Sequence, residues 1–323
     1  MKKLLLAAAA LLAAMPSLAE DKPVPSPGEI VAAAPKGDWV AIPASDLLVM
    51  DLAPDAKGKP RRVVIQLMPA PFSHGWTGNI RLLAKAHWWD GLSINRVQDN
   101  YVVQWGDANG EDPKRAKALP AGLAVMMEAG YETDVIREIY FDPNGFGEPG
   151  PPVPSIEHTQ KPDPYAQTAF SRGWPVGIGL NKGGSESIWP VHCYGMVGVG
   201  RDLSPNTGSG AELYAVIGHA PRHLDRNIAL VGRVIEGVEH LSSLPRGTGG
   251  LGFYETPKER TKIRSIRLGA EVKGLPTYEY LSTESQSFAA YADARANRRD
   301  AFFIRPAGGA DICNIPVPVR RVK

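Results

Sequence analysis

Residues 89–107 read WDGLSINRVQDNYVVQWGD, and the interpretation of the whole chain starts from this stretch. Asp90 and Gly91 are typical of a helix end, and residues 92–105 predict two short strands around a turn at residues 98–100. Arg96 stands in the first strand and Gln104 in the second. The stretch therefore predicts a hairpin that carries a cation on one strand and an amide on the other.

The sequence on both sides of this hairpin is also rich in short strands. Residues 77–88 predict a short helix, and residues 238–244 predict a second one. Strands are predicted at residues 47–50, 63–67, 196–199, 213–217, 228–234 and 262–268. Many short strands with few helices favour an all-β fold, a barrel or a sandwich with accessory helices.

Three segments lie outside this pattern. Residues 20–44 are Pro- and Ala-rich and predict a flexible lead-in, which makes residues 45–270 the main domain. Residues 108–190 predict a long, loop-rich insertion, because the Pro- and Gly-rich run at 143–152 is typical of a surface loop. In the C-terminal extension at 271–323, residues 278–303 predict helix and residues 315–322 predict an edge strand or an extended tail.

The first nineteen residues have the signature of a secretory signal peptide. Lys2 and Lys3 precede an apolar run from Leu4 to Met15, and a small-residue site at residues 17–19 precedes Glu20. Removing this segment takes the formal charge of +2 to zero, which gives no reason to expect nucleic acid or an anionic membrane as partner. The sequence predicts a periplasmic or secreted protein with no integral membrane segment after cleavage, and a monomer is expected.

Two cysteines, Cys193 and Cys313, remain after the predicted cleavage. In an oxidising compartment they would be able to form a disulfide. The sequence alone leaves open the alternative of two separate buried thiols.

Common cofactor and metal motifs do not occur in the sequence, and neither a cofactor nor a metal is expected. His219 and His223 together with Asp225 would suit a metal or a general base. Loop histidines with ordinary hydrogen bonds are the simpler interpretation.

Three blocks in order resemble the cyclophilin-type peptidyl-prolyl isomerases. The stretch at residues 89–107 is similar to that family's Tyr-Asp-Gly, His-Arg-Val and Gln-Gly-Gly-Asp signature. Residues 204–210 (SPNTGSG) resemble its Gly-Pro-Asn-Thr loop, and residues 223–225 with 231–237 (HLD and VGRVIEG) resemble a later segment. The helix at residues 79–84 is also similar, so the resemblance covers about residues 45–107 and 195–270.

The resemblance implies a closed eight-stranded β-barrel capped by two helices, with a proline-binding groove on its outer face. It implies that Arg96 is catalytic and that Gln104 binds the substrate. It further places in the proline pocket Tyr101, Val102, Leu213, His223 and Ile228. An alignment shifted by one residue offers Tyr214 in place of Leu213.

These residue types suit the isomerisation of X–Pro bonds in client polypeptides. A guanidinium is always charged, and its rigid donors suit the localised lone pair of a twisted imide nitrogen. The first hypothesis is an exported prolyl isomerase that assists the folding of proline-containing clients. Because His223 and Ile228 replace a usual tryptophan and histidine, a cyclophilin-like chaperone of little or no activity is the alternative. An all-β structural protein is the third reading.

Overall fold

The structure is a computed structural model that describes residues 24–134 and 163–322. Its helices are α1 (Pro27–Ala33), α2 (His74–Lys85), α3 (Glu239–Ser242) and α4 (Gln286–Ala296). Its 3-10 helices are Lys36–Asp38, Ala44–Asp46, Glu128–Tyr131, Arg222–Leu224, Gly250–Gly252, Gly269–Glu271 and Ile312–Asn314. Its strands are β1 (Trp39–Ile42), β2 (Leu47–Leu52), β3 (Arg61–Leu67), β4 (Ser93–Val97), β5 (Val102–Gly106), β6 (Thr133–Asp134), β7 (Gln167–Ser171), β8 (Trp174–Leu180), β9 (Glu186–Pro190), β10 (Met196–Val199), β11 (Leu213–Val216), β12 (Leu230–Glu236), β13 (Thr261–Leu268), β14 (Tyr278–Leu281) and β15 (Val319–Arg321).

Eight of these strands close into a barrel, which confirms the predicted fold class. The order around the barrel is β10, β11, β5, β4, β13, β2, β3 and β12, and β12 pairs with β10 again. Neighbouring strands are antiparallel throughout. Because side chains alternate along a strand, each strand sends one set of residues inward and one set outward. The inward set is a single apolar core that includes Val103, Trp105, Leu213 and Ala215.

Two helices pack into this core. The buried face of α2 carries Trp76, Ile80, Leu83 and Ala84, at the spacing that places residues on one side of a helix. Helix α3 contributes Leu241 to the same core. The prediction of two capping helices is thus matched by α2 and α3.

Residues 163–190 of the insertion contain three strands of a sheet, so the loop-rich prediction is wrong there, whereas residues 108–127 form no helix or strand, as predicted. Strands β6, β9, β8 and β7 pair in that order. Trp174 and Trp189 are buried in a second apolar core, which also contains Met196 and Leu230 of the barrel. The sheet therefore packs on the outside of the barrel. The Pro- and Gly-rich run at 143–152 lies outside the described residues.

The predicted flexible lead-in is also wrong for residues 27–42. Ser26 and Glu29 form a reciprocal capping box that starts α1, and β1 pairs with β14. Strand β15 pairs with the other side of β14 as an edge strand, as the pattern at 315–322 predicted. The helix predicted at 278–303 is shorter, because residues 278–281 are the central strand of this three-stranded sheet.

A disulfide joins Cys193, which follows the insertion sheet, to Cys313 in the C-terminal extension. The extension, the insertion and the barrel therefore share both the second apolar core and a covalent link. Among the described residues, no helix has the length and apolar character needed to cross a membrane.

Candidate active site

A row of three side chains crosses the outer face of the barrel. Arg96 on β4 pairs with Gln104 on β5, and Gln104 pairs with Tyr214 on β11. Residues directly opposite each other on neighbouring strands lie on the same face of a sheet. The cation, the amide and the phenol ring therefore stand side by side across three strands.

The guanidinium of Arg96 is held by acceptors from three parts of the chain. Its Nε donates to the carbonyl oxygen of Leu251 at 2.7 Å, and its Nη1 donates to Oε1 of Gln104 at 3.4 Å. Its Nη2 donates to Oε1 of Gln98. Since a guanidinium has five N–H donors, two remain for another acceptor.

Two aromatic rings flank the same guanidinium. Its Cζ atom lies 5.7 Å from the ring centroid of Tyr101 and 5.2 Å from that of Phe253. Burial lowers the pKa of Arg96, and Tyr101 opposes this shift. Arginine remains charged at any physiological pH, so the site presents a partly desolvated cation whose electrostatic interactions are stronger than in bulk water.

An apolar wall stands next to this cation. We use that name for the buried side chains of Val102, Tyr214 and Val216 together with Tyr101 and Ile228, which pack against them. Val102 pairs with Val216 in the row of residues that follows Gln104 and Tyr214. The wall is therefore continuous with the row that carries Arg96.

His223 lies at the edge of the apolar wall. Its ring stacks on Tyr101, with ring centroids 6.4 Å apart and planes within 9° of each other. The structure thus brings together Arg96, Gln104, Tyr101, Val102, His223 and Ile228, six of the seven residues that the resemblance assigned to the site.

Leu213 is the residue that the structure separates from this group. Its side chain belongs to the barrel core, whereas Tyr214 points outward into the apolar wall. A shift of one residue along a strand moves every side chain to the opposite face. The assignment of Leu213 to the pocket is therefore corrected to Tyr214, the residue offered by the shifted alignment.

The hydroxyl of Tyr214 is part of a buried polar chain. It lies 2.8 Å from Nε2 of His192, and Nδ1 of His192 lies 2.9 Å from Oδ1 of Asp225. Asp225 accepts at this ring nitrogen, so Tyr214 donates to the other. Burial lowers the pKa of His192, with Asp225 opposing the shift, and burial raises the pKa of Tyr214. The neutral imidazole therefore fixes the position of the phenol ring in the wall.

The alternative role considered for Asp225 is not supported by its contacts. The carboxylate of Asp225 binds His192 and Arg222, with Arg222 Nε at 2.6 Å from Oδ2, and within the described residues it forms no hydrogen bond with His219 or His223. Arg222 also donates to Asp163 at 2.7 Å. Within residues 24–134 and 163–322, no group of three or more metal-ligating side chains is found.

Sequence reasoning missed several residues of the site. Leu251 and Phe253 come from the loop after α3, and an isolated bridge between Arg96 and Phe253 brings this loop to β4. His192 comes from the short segment between the insertion and β10. No local pattern in the sequence indicates these contacts, because each joins segments that are far apart along the chain.

Comparison with known proteins identifies the family of the chain and agrees with its fold. The family model described as "Cyclophilin type peptidyl-prolyl cis-trans isomerase/CLD" matches residues 62–268. Among solved structures, cyclophilin AquaCyp293 from Hirschia baltica is similar with a TM-score of 0.63 and 18% identity, covering 88% of this chain and 94% of that chain. A cyclophilin type peptidyl-prolyl cis-trans isomerase from Cryptosporidium parvum aligns with a TM-score of 0.38 and 11% identity, covering 69% of this chain and 97% of its own. A search of curated proteins found no match.

A closed barrel with a cation and an apolar wall on its outer face defines the class as cyclophilin-like. Because the family match spans more than half of the chain, the chain belongs to the cyclophilin-type peptidyl-prolyl cis-trans isomerase family. The substrates of this family are proline-containing peptides.

Proposed function

We propose that this chain isomerises X–Pro bonds in exported polypeptides and that the guanidinium of Arg96 stabilises the twisted imide. The observation that carries the proposal is the row of Arg96, Gln104 and Tyr214 beside the apolar wall. A cation next to an apolar surface suits a substrate that combines a proline ring with a polar backbone.

The chemistry requires only that the twisted bond is bound better than the planar one. An imide resists rotation by about 18–20 kcal/mol, because its nitrogen shares a lone pair with the carbonyl group. In the twisted state this lone pair is localised on nitrogen and accepts a hydrogen bond from Arg96. An interaction that is stronger in the transition state than in the ground state accelerates the reaction. A hydrogen bond from a charged donor contributes about 1.5–3 kcal/mol, which corresponds to about one to two decades in rate.

The other side chains of the site hold the substrate while this bond turns. The apolar wall packs against the proline ring, and the amide of Gln104 binds the backbone of the client. Neither role needs a nucleophile or a proton acceptor. Such positioning lowers the entropic part of the barrier.

The assay that tests the proposal compares wild type with Arg96→Ala and Arg96→Lys on a tetrapeptide with a central Ala-Pro bond. The protease-coupled rate should fall by about 10- to 100-fold in Arg96→Ala. Arg96→Lys should restore only part of it, because an ammonium lacks the rigid fork of donors. Equal rates in wild type and Arg96→Ala would remove the catalytic role of the arginine.

A second candidate function is a proline-segment-binding chaperone with little turnover. It is favoured by the protein acceptors that already engage three donors of Arg96 and by the depth to which Tyr214 is buried, at 4% exposure. Calorimetric titration with the same peptide separates the two functions. Binding that persists in a wild type without measurable isomerase activity would identify the chaperone.

Export is supported by the pattern of residues 1–19 and by the disulfide between Cys193 and Cys313, since disulfides persist in oxidising compartments. N-terminal sequencing of the protein recovered from a periplasmic or culture fraction should start at Glu20. Recovery of the uncleaved chain from the cytoplasmic fraction alone would contradict export.

A further inference from the structure

We propose that Glu212 is a positioning residue of this site: its carboxyl group orients the amide of Gln104 and makes peptide binding depend on pH. The inference rests on the proposed function of Arg96 and Gln104. It adds a residue that lies behind the row rather than in contact with the substrate.

The position of Glu212 follows from the strand that begins after it. Glu212 precedes β11, two residues before Tyr214, and side chains two residues apart share a face. Two glycines allow it to lie close to its neighbours. A Cβ atom on Gly106 would lie 2.0 Å from Oε1 of Glu212, and one on Gly200 would lie 2.9 Å from its Cβ. The carboxyl group therefore packs directly against bare backbone.

The same glycine brings Glu212 next to Gln104. A Cβ atom on Gly200 would also lie 3.3 Å from Nε2 of Gln104, so both side chains occupy the space beside this one residue. The backbone N–H of Asp107 donates to Oε1 of Glu212 at 2.6 Å. The amide of Gln104 lies close enough to the carboxyl group to act as a donor that opposes the rise in the pKa of Glu212.

These contacts give the amide of Gln104 one preferred orientation. Its Oε1 accepts from Arg96, so its Nε2 is the end that faces the carboxyl group. An amide nitrogen has two hydrogens. One is directed to Glu212, and the other is left for a carbonyl oxygen of the substrate.

The electrostatic surroundings keep Glu212 protonated at neutral pH. The pKa of Glu212 is raised to about 8, mainly by burial and in part by the charges of Asp107 and Glu111, while the hydrogen bonds from Asp107 N–H and Gln104 oppose the shift. Arg96 is the cation on the far side of Gln104. Arg201, which follows Gly200, directs its guanidinium to the carbonyl oxygens of Asn227 and Asp202 instead.

Ionisation of this carboxyl group would strengthen its hold on Gln104. A carboxylate only accepts hydrogen bonds, and those it accepts are shorter and stronger than neutral ones. A protonated carboxyl group is able to donate as well, and it then leaves the orientation of the amide less defined. The site should therefore bind peptide more tightly as the pH rises through about 8.

The test measures kcat, KM and calorimetric Kd for the Ala-Pro tetrapeptide from pH 6.5 to 9.5. In wild type, kcat/KM should rise by about three- to tenfold with pH. The rise should come from a lower KM, and Kd should fall in parallel. Glu212→Gln should abolish the transition, because it keeps an acceptor but does not titrate. Glu111→Gln, which removes a carboxylate in the neighbouring loop, should keep the pH transition. A flat or falling wild-type profile, or the same rise in Glu212→Gln, overturns the proposal.

A second measurement covers the case in which Glu212→Gln does not fold. In wild-type protein, the NMR signals of the Gln104 side-chain amide should shift with the same midpoint as the carboxyl carbon of Glu212. Independent midpoints overturn the proposal. A wild type that lacks isomerase activity at every pH would refute the proposed function, whereas the binding and NMR data would still decide the role of Glu212.

Discussion

The hydroxyl oxygen of Tyr214 lies 2.8 Å from Nε2 of His192, and this contact connects the apolar wall to the segment that follows the insertion. His192 is followed by Cys193, whose disulfide partner Cys313 belongs to the C-terminal extension. One side chain of the candidate site thus depends on two segments outside the barrel.

Tyr214→Phe tests how much the hydrogen bond between Tyr214 and His192 contributes to stability. The variant removes the O–H donor and leaves Nε2 of the buried His192 without its partner, which costs about 1–3 kcal/mol. Urea unfolding should show a lower midpoint with an unchanged slope. Tyr101→Phe is the matched control, because Tyr101 is only partly buried, and it should unfold like wild type. Equal midpoints for the two variants would mean that the contact contributes nothing to stability.

The buried imidazole of His192 should make the free energy of unfolding depend on pH. Burial lowers the pKa of His192 in the folded chain, whereas in the unfolded chain the histidine binds a proton near pH 6.5. Its contribution is therefore complete above about pH 6.5 and is lost as the pH falls further. The difference in unfolding free energy between wild type and His192→Asn should shrink from pH 7 to pH 5.5. His240→Asn, on α3, should follow wild type, and a constant difference for His192→Asn would contradict the prediction.

Reduction of the disulfide should destabilise the chain strongly. The bridge joins residues 120 apart in sequence, and the chain-entropy model gives about 4–5 kcal/mol for a loop of this length. Unfolding by urea with and without a phosphine reductant measures the effect. The double variant Cys193→Ala and Cys313→Ala should unfold alike in both conditions. A wild type whose midpoint is insensitive to complete reduction would disprove the estimate.

Phe253→Ala should weaken the site without removing the cation. The ring of Phe253 lies 5.2 Å from Cζ of Arg96, and a cation–π contact at a partly exposed site is worth about 0.5–1 kcal/mol. We expect kcat/KM to fall about two- to fivefold in the peptide assay. Phe302→Ala serves as the control, because it removes the ring of a phenylalanine that is 84% exposed. A loss of equal size in both variants would argue against a specific role for Phe253.

The strand pattern predicted a barrel or a sandwich, and the closed barrel and the pocket residues followed from the family resemblance, whereas the hairpin that carries the cation and the amide follows from a short-range pattern. Arg96 and Gln104 lie on adjacent strands joined by a tight turn, so their pairing follows from local register. The choice between Leu213 and Tyr214 depended on a single residue of register, and sequence similarity alone did not resolve it.

Other features depend on contacts between segments that are distant in the chain. Phe253 reaches Arg96, and His192 reaches Tyr214, through packing that no local periodicity encodes. The Pro- and Ala-rich sequence before residue 39 predicted a flexible lead-in. This prediction failed because the partner of β1 lies beyond residue 277, where no local pattern points to it.

The sheet formed by β1, β14 and β15 also bears on how the protein is made. During synthesis β1 emerges early, and almost the whole chain must follow before β14 is available to pair with it. The barrel strands, from β2 to β13, are all complete by that time. Contacts between remote segments form only after the intervening loop is closed. This small sheet should therefore form last, after all strands of the barrel have been translated.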